Sequence, residues 1–142
     1  MNAEQWLKQV RKLDELIQNK LAEQEQWKEL ATNVSPAPFN DMPHSNTGMI
    51  NNSVENAIIN MISVSNEINR LIDKYIDCKQ KVVATIEQLP EKEYGVLHRH
   101  YIQYMTWEDV ALDMNYSTTQ VWRIKNNGLK ILQDVIECNA KM

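Results

Sequence analysis

The sequence is poor in the residues that interrupt or cross-link a chain. Its 142 residues include only three glycines, four prolines and two cysteines. So few glycines and prolines argue against a sandwich or barrel of short strands joined by tight turns. Cys78 and Cys138 lie too far apart in the sequence for a zinc pattern, and two thiols make no disulfide framework. We therefore predict a protein of a reducing, cytoplasmic compartment.

Long apolar runs are also absent. No stretch approaches the roughly 18 apolar residues of a membrane-spanning helix, and residues 1–10 do not resemble a signal peptide. We therefore expect no membrane partner. The formal net charge of −4 excludes a protein that is basic over its whole surface, but it leaves room for a local basic patch.

Motifs for catalysis are missing as well. The sequence shows no glycine-rich phosphate loop, no nucleophile elbow and no zinc pattern. His98 and His100 resemble a metal-binding pair, but residues two apart on a helix point to different sides. We expect them to cover the C-terminal helices or to meet a backbone phosphate. His44 has no neighbouring ligand pattern. The sequence therefore predicts no enzyme, no metal and no cofactor.

Apolar residues recur at helical spacing over residues 1–33. The recurrence at intervals of three and four places them on one face of a helix. The polar residues between them are mostly glutamine, glutamate and lysine, which favour helix. We predict one long amphipathic helix, with an apolar stripe formed by Trp6, Val10, Leu13, Ile17 and Leu21.

Residues 34–52 differ from both neighbouring segments. They hold three of the four prolines, followed by serine, glycine and asparagine residues that favour turns. We predict a flexible linker here. From Ser53, a plausible N-cap, a second helix is predicted to run to Leu89, because Pro90 ends it. Its apolar residues repeat every seven positions, which is typical of a coiled coil, at Val54, Met61, Ile68, Tyr75, Val82 and Leu89.

The long second helix must bury this stripe against a partner, because helical propensity alone leaves it marginal. Two partners are possible: the first helix folded back across the linker, or the same helices of another copy. Cys78 falls on the seam, where we expect a small buried hydrophobe. Residues 1–89 are thus predicted to form a helical oligomerisation arm, and residues 90–142 a separate domain.

Residues 106–126 show the pattern of two short helices joined by a tight turn. Thr106 is placed to cap the first helix, and Asn115 tolerates the left-handed conformation that such a turn requires. Ser117 and Gln120 form a capping box that starts the second helix. Its inward side is predicted to carry Val121, Ile124, Gly128, Ile131, Leu132 and Val135. The pattern predicts a helix-turn-helix. The alternative is a plain helical hairpin with no ligand.

The outward side of that second helix favours DNA over the plain hairpin. Residues 117–132 contain three basic residues and no acidic one, whereas residues 90–142 together contain six basic and seven acidic residues. Arginine and asparagine can read base edges in the major groove, and threonine can contact phosphate or a thymine methyl. The predicted DNA-binding residues are Ser117, Thr118, Thr119, Trp122, Arg123, Lys125, Asn126 and Lys130. Trp122 has two possible roles, a DNA or protein contact, or packing against the N-terminal arm.

Residues 89–136 resemble region 4 of sigma-70-type factors. The resemblance is carried by Leu89-Pro90, Val96-Leu97, Arg99, Tyr101, the run from Met105 to Ala111, the run from Met114 to Ser117, Val121 and Leu129. It implies a support helix, a helix-turn-helix and a trailing helix. The sigma pattern usually has glycine where this chain has Asn115, and a basic residue followed by alanine where it has Asn127 and Gly128.

The whole chain resembles a narrower group, the RinA-like or sigma-like late transcription regulators of Gram-positive phages and prophages. Residues 6–13 and 68–73 carry that likeness. It implies a regulator that binds double-stranded DNA near phage or mobile-element promoters, acting with RNA polymerase and as a homo-oligomer.

The sequence therefore predicts an all-α protein, with an N-terminal helical hairpin or coiled-coil arm and a C-terminal, sigma region 4-like helix-turn-helix. Its predicted function is sequence-specific transcriptional regulation, most simply activation. Two alternatives stay open. A small terminase subunit of phage DNA packaging also joins a helix-turn-helix to helical oligomerisation, in a ring of many subunits. An interaction protein would use the same helices only for protein contacts.

Overall fold

The computed structural model describes residues 1–32 and 47–140, with the side chains of residues 47–52 and 140 left aside. Most of these residues are helical, and no strand occurs among them. The all-α prediction is confirmed. The described residues contain five α-helices, which are α1 (Ala3–Thr32), α2 (Thr47–Ile86), α3 (Glu91–Leu97), α4 (Trp107–Met114) and α5 (Thr118–Ala140). A π-helical stretch, His98–Ile102, continues α3. Within the described ranges, no helix combines the length and the apolar character that crossing a membrane requires.

The bounds of α2 differ from the prediction at both ends. Ser53 does not cap the helix, because α2 already begins at Thr47. Helical propensity is a weak guide to where a helix starts, since a helix tolerates asparagine and glycine at a small cost in stability. Residues 34–46 of the predicted linker lie outside the described residues. At the other end, the chain leaves α2 at Ile86 and tightens, as the Leu89 amide donates to the Ile86 carbonyl at 3.0 Å. The tightened turn places Leu89 in the core.

The chain divides into two compact units. Residues Glu15–Asp73 form one of them, called here the arm unit, in which the later part of α1 lies antiparallel to the earlier part of α2. Lys20 Nζ lies 3.0 Å from a Glu67 carboxylate oxygen, and the Gln24 amide donates to the Ser65 hydroxyl. The buried apolar residues of this unit are Ile17, Ala57, Val64 and Ile68. The heptad positions Val54 and Met61 are half-buried beside them.

Residues 1–14 and 74–142 form the other unit, called here the C-terminal unit. Its larger core cluster joins the start of α1 to the end of α2, to α3 with its π-helical extension, and to α5. The buried members are Ala3, Leu7, Val10, Val82, Ile86, Leu89, Leu97, Tyr101 and Leu132. The backbone amide of Ala3 also donates to Gln133 Oε1 at 2.7 Å, which satisfies a free donor at the start of α1.

The predicted stripe of α1 is right in most of its members and wrong in one. Val10 and Ile17 are buried, and Trp6 and Leu13 are half-buried, but Leu21 is exposed. Leu7, which the stripe does not include, is fully buried. The reason is that a stripe built on spacings of three and four departs from the 3.6 residues per turn of a straight helix. Over the 30 residues of α1 it therefore drifts around the helix, and different residues point inward at the two ends.

A smaller core cluster lies between α3, α4 and α5. Val96, Val110, Ala111 and Val121 are its buried members. Gly128 of α5 allows close packing against α3, because a Cβ atom built on it would stand 3.1 Å from Leu97 Cδ1 and 3.3 Å from Glu93 Cβ. Gly128 is therefore a point of close contact between α5 and α3, which gives a packing reason for a glycine inside a helix.

Candidate nucleic-acid interface

The start and end of α4 are fixed by local hydrogen bonds. The Thr106 hydroxyl accepts from the Asp109 amide at 3.1 Å, which confirms the predicted N-cap. At the other end, Asn115 is left-handed, with φ 59° and ψ 40°. The Tyr116 amide donates to the Ala111 carbonyl at 2.9 Å, and the Asn115 amide to that of Leu112 at 3.3 Å. This is a Schellman motif with asparagine in the place that glycine usually takes.

The start of α5 is fixed by the predicted capping box. The Ser117 amide donates to Gln120 Oε1 at 2.9 Å, and the Gln120 amide donates to the Ser117 hydroxyl at 3.1 Å. The connection between α4 and α5 is therefore three residues long and held at both ends. The inward side of α5 also agrees with the sequence, because Val121, Gly128 and Leu132 are buried and Ile124, Ile131 and Val135 are half-buried.

Seven of the eight predicted DNA-binding residues are exposed. One of them precedes α5 and the others lie along its first four turns. They are Ser117, Thr118, Thr119, Trp122, Arg123, Asn126 and Lys130. Trp122 exposes 56% of its surface, which is unusual for so large a ring. The exposed side of α5 thus combines hydroxyl groups, an amide, two cations and one aromatic ring.

Lys125 is placed differently from the other seven. It is buried, with an exposed fraction of 8%, where the sequence predicted the edge of the outward side. Its ammonium group stands over two aromatic rings, 4.1 Å from the centroid of Trp122 and 5.1 Å from that of Trp107. Such cation–π contacts are stabilising by roughly 0.5–2 kcal/mol. The lysine therefore braces Trp122 from below.

Trp107 is a residue that the sequence analysis did not single out. Its ring stacks on the imidazole of His100, with centroids 3.6 Å apart, and meets the Tyr101 ring edge-on at 6.0 Å. Trp107 packs against both core clusters of the C-terminal unit. No periodic pattern could have shown this, because His100 and Trp107 lie on different helices and meet only in the fold.

The two histidines do not form a pair. His100 Nδ1 lies 2.7 Å from the Met105 carbonyl oxygen, to which it donates when it carries the proton, and His98 Nδ1 lies 2.9 Å from the Gln103 side-chain amide. Burial lowers the pKa of His100, and the charges of Lys125, Arg11 and Lys8 lower it further, against the hydrogen bond to Met105. Burial also lowers the pKa of His98. His100 thus packs within the C-terminal unit, whereas the contact of His98 with Gln103 lies at its surface.

This arrangement predicts a loss of stability in mild acid. Because the folded pKa of His100 lies below its ordinary value of 6.5, the unfolded chain binds more protons as the pH falls. Stability is therefore full above about pH 6.5 and decreases below it. We expect the urea midpoint of wild type to fall between about pH 8 and pH 5.5, and that of His100→Phe, which keeps a stacking ring but cannot titrate, to fall less. An equal fall in both proteins would contradict this assignment.

Side-chain contacts connect α3 and its π-helical extension to the helices that follow. Arg99 Nε lies 2.6 Å from an Asp113 carboxylate oxygen, and another nitrogen of the same guanidinium donates to the Gly95 carbonyl at 3.1 Å. The Asn127 amide donates to Glu93 Oε1 at 2.9 Å. These contacts hold α4 and α5 on α3, so the exposed side of α5 rests on a braced support.

Metal ligands and thiols are the remaining chemical groups to consider among the described residues. They contain no group of three or more His, Cys, Asp or Glu side chains that could hold a metal ion. Cys78 is half-buried against the larger core cluster, and burial raises the pKa of its thiol. Cys138 is exposed.

Comparison with known proteins places the chain in a family without assigning an activity. Residues 39–133 match the family described as protein of unknown function, DUF1492. No curated protein and no solved structure matches the chain.

Proposed function

We propose that this chain, which belongs to the DUF1492 family, is a non-enzymatic, sequence-specific DNA-binding regulator of transcription. In this proposal α4 and α5 act as a helix-turn-helix of the sigma region 4 kind, and α5 enters the major groove. The single observation that carries the proposal is the exposed side of α5. Its first turns hold cationic, amide and hydroxyl side chains without an acidic residue, in a chain whose net charge is −4.

Each exposed residue type fits a part of a DNA duplex. Arg123 can donate two hydrogen bonds to a guanine, and Asn126 can pair with an adenine edge. Thr118 and Thr119 stand in the first turn of α5, where the free backbone amides and the helix dipole favour a phosphate. Lys130 lies further along the helix and can neutralise another phosphate. These roles make Arg123 and Asn126 the determinants of sequence.

Trp122 and Lys125 act together in this proposal. Trp122 contacts the sugar or base edges from the exposed side of α5, and the Lys125 ammonium below the ring fixes its orientation. The Lys125 side chain is buried, and its Nζ lies 4.1 Å from the centroid of the exposed Trp122 ring, so it stands close to the interface without being on its surface. The lysine therefore adds to the positive potential of α5 more than it makes a direct phosphate contact.

One such interface should bind DNA weakly. Affinity for DNA rises with the number of phosphates that basic side chains neutralise, and its salt dependence follows the same number. The exposed side of α5 offers only two exposed cations, Arg123 and Lys130. We propose that a homo-oligomer presenting several such interfaces, or tethering by RNA polymerase at a promoter, supplies the missing affinity.

A second candidate function is an interaction protein that contacts polymerase or another factor without binding DNA. Two large apolar side chains favour it, because Leu112 of α4 exposes 76% of its surface and Trp122 of α5 exposes 56%. Tryptophan is enriched among the residues that carry the binding energy of protein interfaces, and the exposed leucine adds apolar area. The two candidates differ in whether the protein alone selects a DNA sequence.

Selection of bound fragments from bacterial and phage DNA tests the proposal. We expect wild type to enrich one sequence element at moderate salt. An Arg123→Ala, Trp122→Ala double variant should lose the enrichment, because each lost base contact costs about 1–3 kcal/mol. Lys81→Ala, which removes an exposed cation from α2, is the charge-matched control and should keep it. If wild type enriches no element, the interaction candidate replaces this one. Assembly into a ring of many subunits would instead favour a DNA-packaging role.

A further inference from the structure

A second apolar stripe runs along α2 beside the one that is buried. In the arm unit, Ile58, Ile62 and Ile72 are exposed, although each lies only one or a few positions from the buried Ala57, Val64 and Ile68. Successive residues of an α-helix are about 100° apart, so the exposed isoleucines lie on the flank of the buried stripe. The adjacent Ile59 is exposed too, and so is Ile76 further along α2.

A helix with two apolar stripes needs two partners. A surface helix normally carries one apolar stripe, and its remaining sides are polar. In the arm unit, α1 covers the first stripe of α2, where the Lys20–Glu67 and Gln24–Ser65 contacts fix it. Among the described residues, none covers the second stripe enough to bury its isoleucines. Several exposed isoleucines on one side of a helix, with no partner there among the described residues, are typical of an interaction surface.

The spacing of the second stripe identifies the kind of partner. Ile58, Ile62, Ser65, Asn69 and Ile72 follow one another at alternating intervals of four and three. That is the a and d pattern of a coiled coil, in which each side chain packs into a hole formed by a helix with the same repeat. The stripe also has a polar centre, because Ser65 and exposed Asn69 lie between Ile62 and Ile72.

We propose that a second copy of this chain packs along this stripe, parallel and in register, to form a two-stranded coiled coil of α2 helices. A like copy sets isoleucine against isoleucine and Asn69 against Asn69. One asparagine at an a position fixes register and strand number in this way, at some loss of stability. Ser65 is already satisfied within its own chain, since its hydroxyl donates to the Met61 carbonyl at 2.9 Å and accepts from Gln24.

This interface is distinct from the heptad series that the sequence displays most clearly. The earlier series contains Val54, Met61 and Ile68, which are buried or half-buried inside the arm unit of a single chain. Self-association through the second stripe leaves those contacts unchanged. A dimer formed through α2 would be the homo-oligomer of the proposed function, and its formation does not depend on DNA binding.

Sedimentation equilibrium on the full chain tests the interface. We expect wild type to be a dimer at micromolar concentration and Ile62→Glu to be a monomer, with the association constant lowered at least about 100-fold, because a carboxylate is then forced into the seam. Leu30→Glu is the matched control. Leu30 exposes 57% of its surface on α1 and Ile62 exposes 54% on α2, so both substitutions place the same charge on an exposed apolar site of the arm unit.

Leu30→Glu should remain a dimer, and unchanged far-ultraviolet circular dichroism should show that both variants fold. Asn69→Ile should associate more tightly than wild type and lose the defined dimer, forming higher oligomers. A monomeric wild type overturns the proposal, and so does an Ile62→Glu variant that stays dimeric. Fragment selection tests DNA binding through residues of α5, and sedimentation tests self-association through residues of α2. A failure of one proposal is therefore distinguishable from a failure of the other.

Discussion

Trp107→Ala is expected to destabilise the C-terminal unit by about 3–5 kcal/mol, the range observed when a large aromatic ring is removed from a packed site. The ring packs against both core clusters of that unit, so its removal leaves a cavity that borders each of them. The same truncation removes the stack on His100 and one of the two aromatic rings that contact the Lys125 ammonium. Lys125 is then a buried cation that lacks one of its two cation–π contacts, which lowers the stability of the unit further.

Chemical denaturation followed by tryptophan fluorescence and circular dichroism measures this effect. Trp122→Ala is the matched control, because it truncates the same residue type at an exposed position of the same unit. We expect that variant to change the free energy of unfolding by no more than about 1 kcal/mol, mainly through the lost contact with Lys125. Equal losses in the two variants would show that the Trp107 stack does not join the core clusters.

Leu97→Ala is expected to cost about 2–5 kcal/mol, because Leu97 is fully buried where α3 meets α5. Leu112→Ala removes the same atoms from an exposed site on α4 and should change stability by less than about 0.5 kcal/mol. The difference between the two leucines measures burial at constant chemistry. Urea denaturation of both variants under one buffer condition gives the comparison.

Leu97 also controls the effect of Gly128→Ala, which completes a double-mutant cycle. In wild type, the new Cβ would meet Leu97 Cδ1 at 3.1 Å, so crowding should outweigh the gain of up to about 1 kcal/mol in helical propensity. In the Leu97→Ala background that methyl group is gone and only the 3.3 Å approach to Glu93 Cβ is left, so the same substitution should cost less than in wild type. We expect a coupling free energy of about 1–3 kcal/mol. Additive effects would mean that Gly128 and Leu97 do not limit each other.

The caps and the turn that connect α4 to α5 were predictable from the sequence. Thr106 as a cap, Asn115 in the left-handed region, and the reciprocal hydrogen bonds of Ser117 and Gln120 all follow from interactions within four residues of the chain. Such interactions depend on backbone geometry that is the same in every protein. The exposure of Arg123 and Asn126 follows in turn, because the buried side of α5 fixes the opposite one.

Sequence alone was less successful wherever residues far apart in the chain meet. It set Leu21 on a buried stripe, because periodicity along one helix gives no information on which partner lies alongside. The burial of Lys125 is a second case, because its two aromatic neighbours include Trp107 of another helix. The start of α2, at Thr47 instead of Ser53, is a separate error that comes from helical propensity, which is a weak guide.

The helical class of this protein, the caps and turn that join α4 to α5, and the concentration of positive charge on α5 can all be read from the amino-acid order. These features depend on residue type and short spacing. Packing in three dimensions was needed to show that Gly128 is a packing point and that His100 and Lys125 both meet Trp107. It was also needed to show that one stripe of α2 is covered within a single chain while another stays open. Those features depend on how helices distant in sequence pack, which burial of apolar surface decides for the whole chain at once.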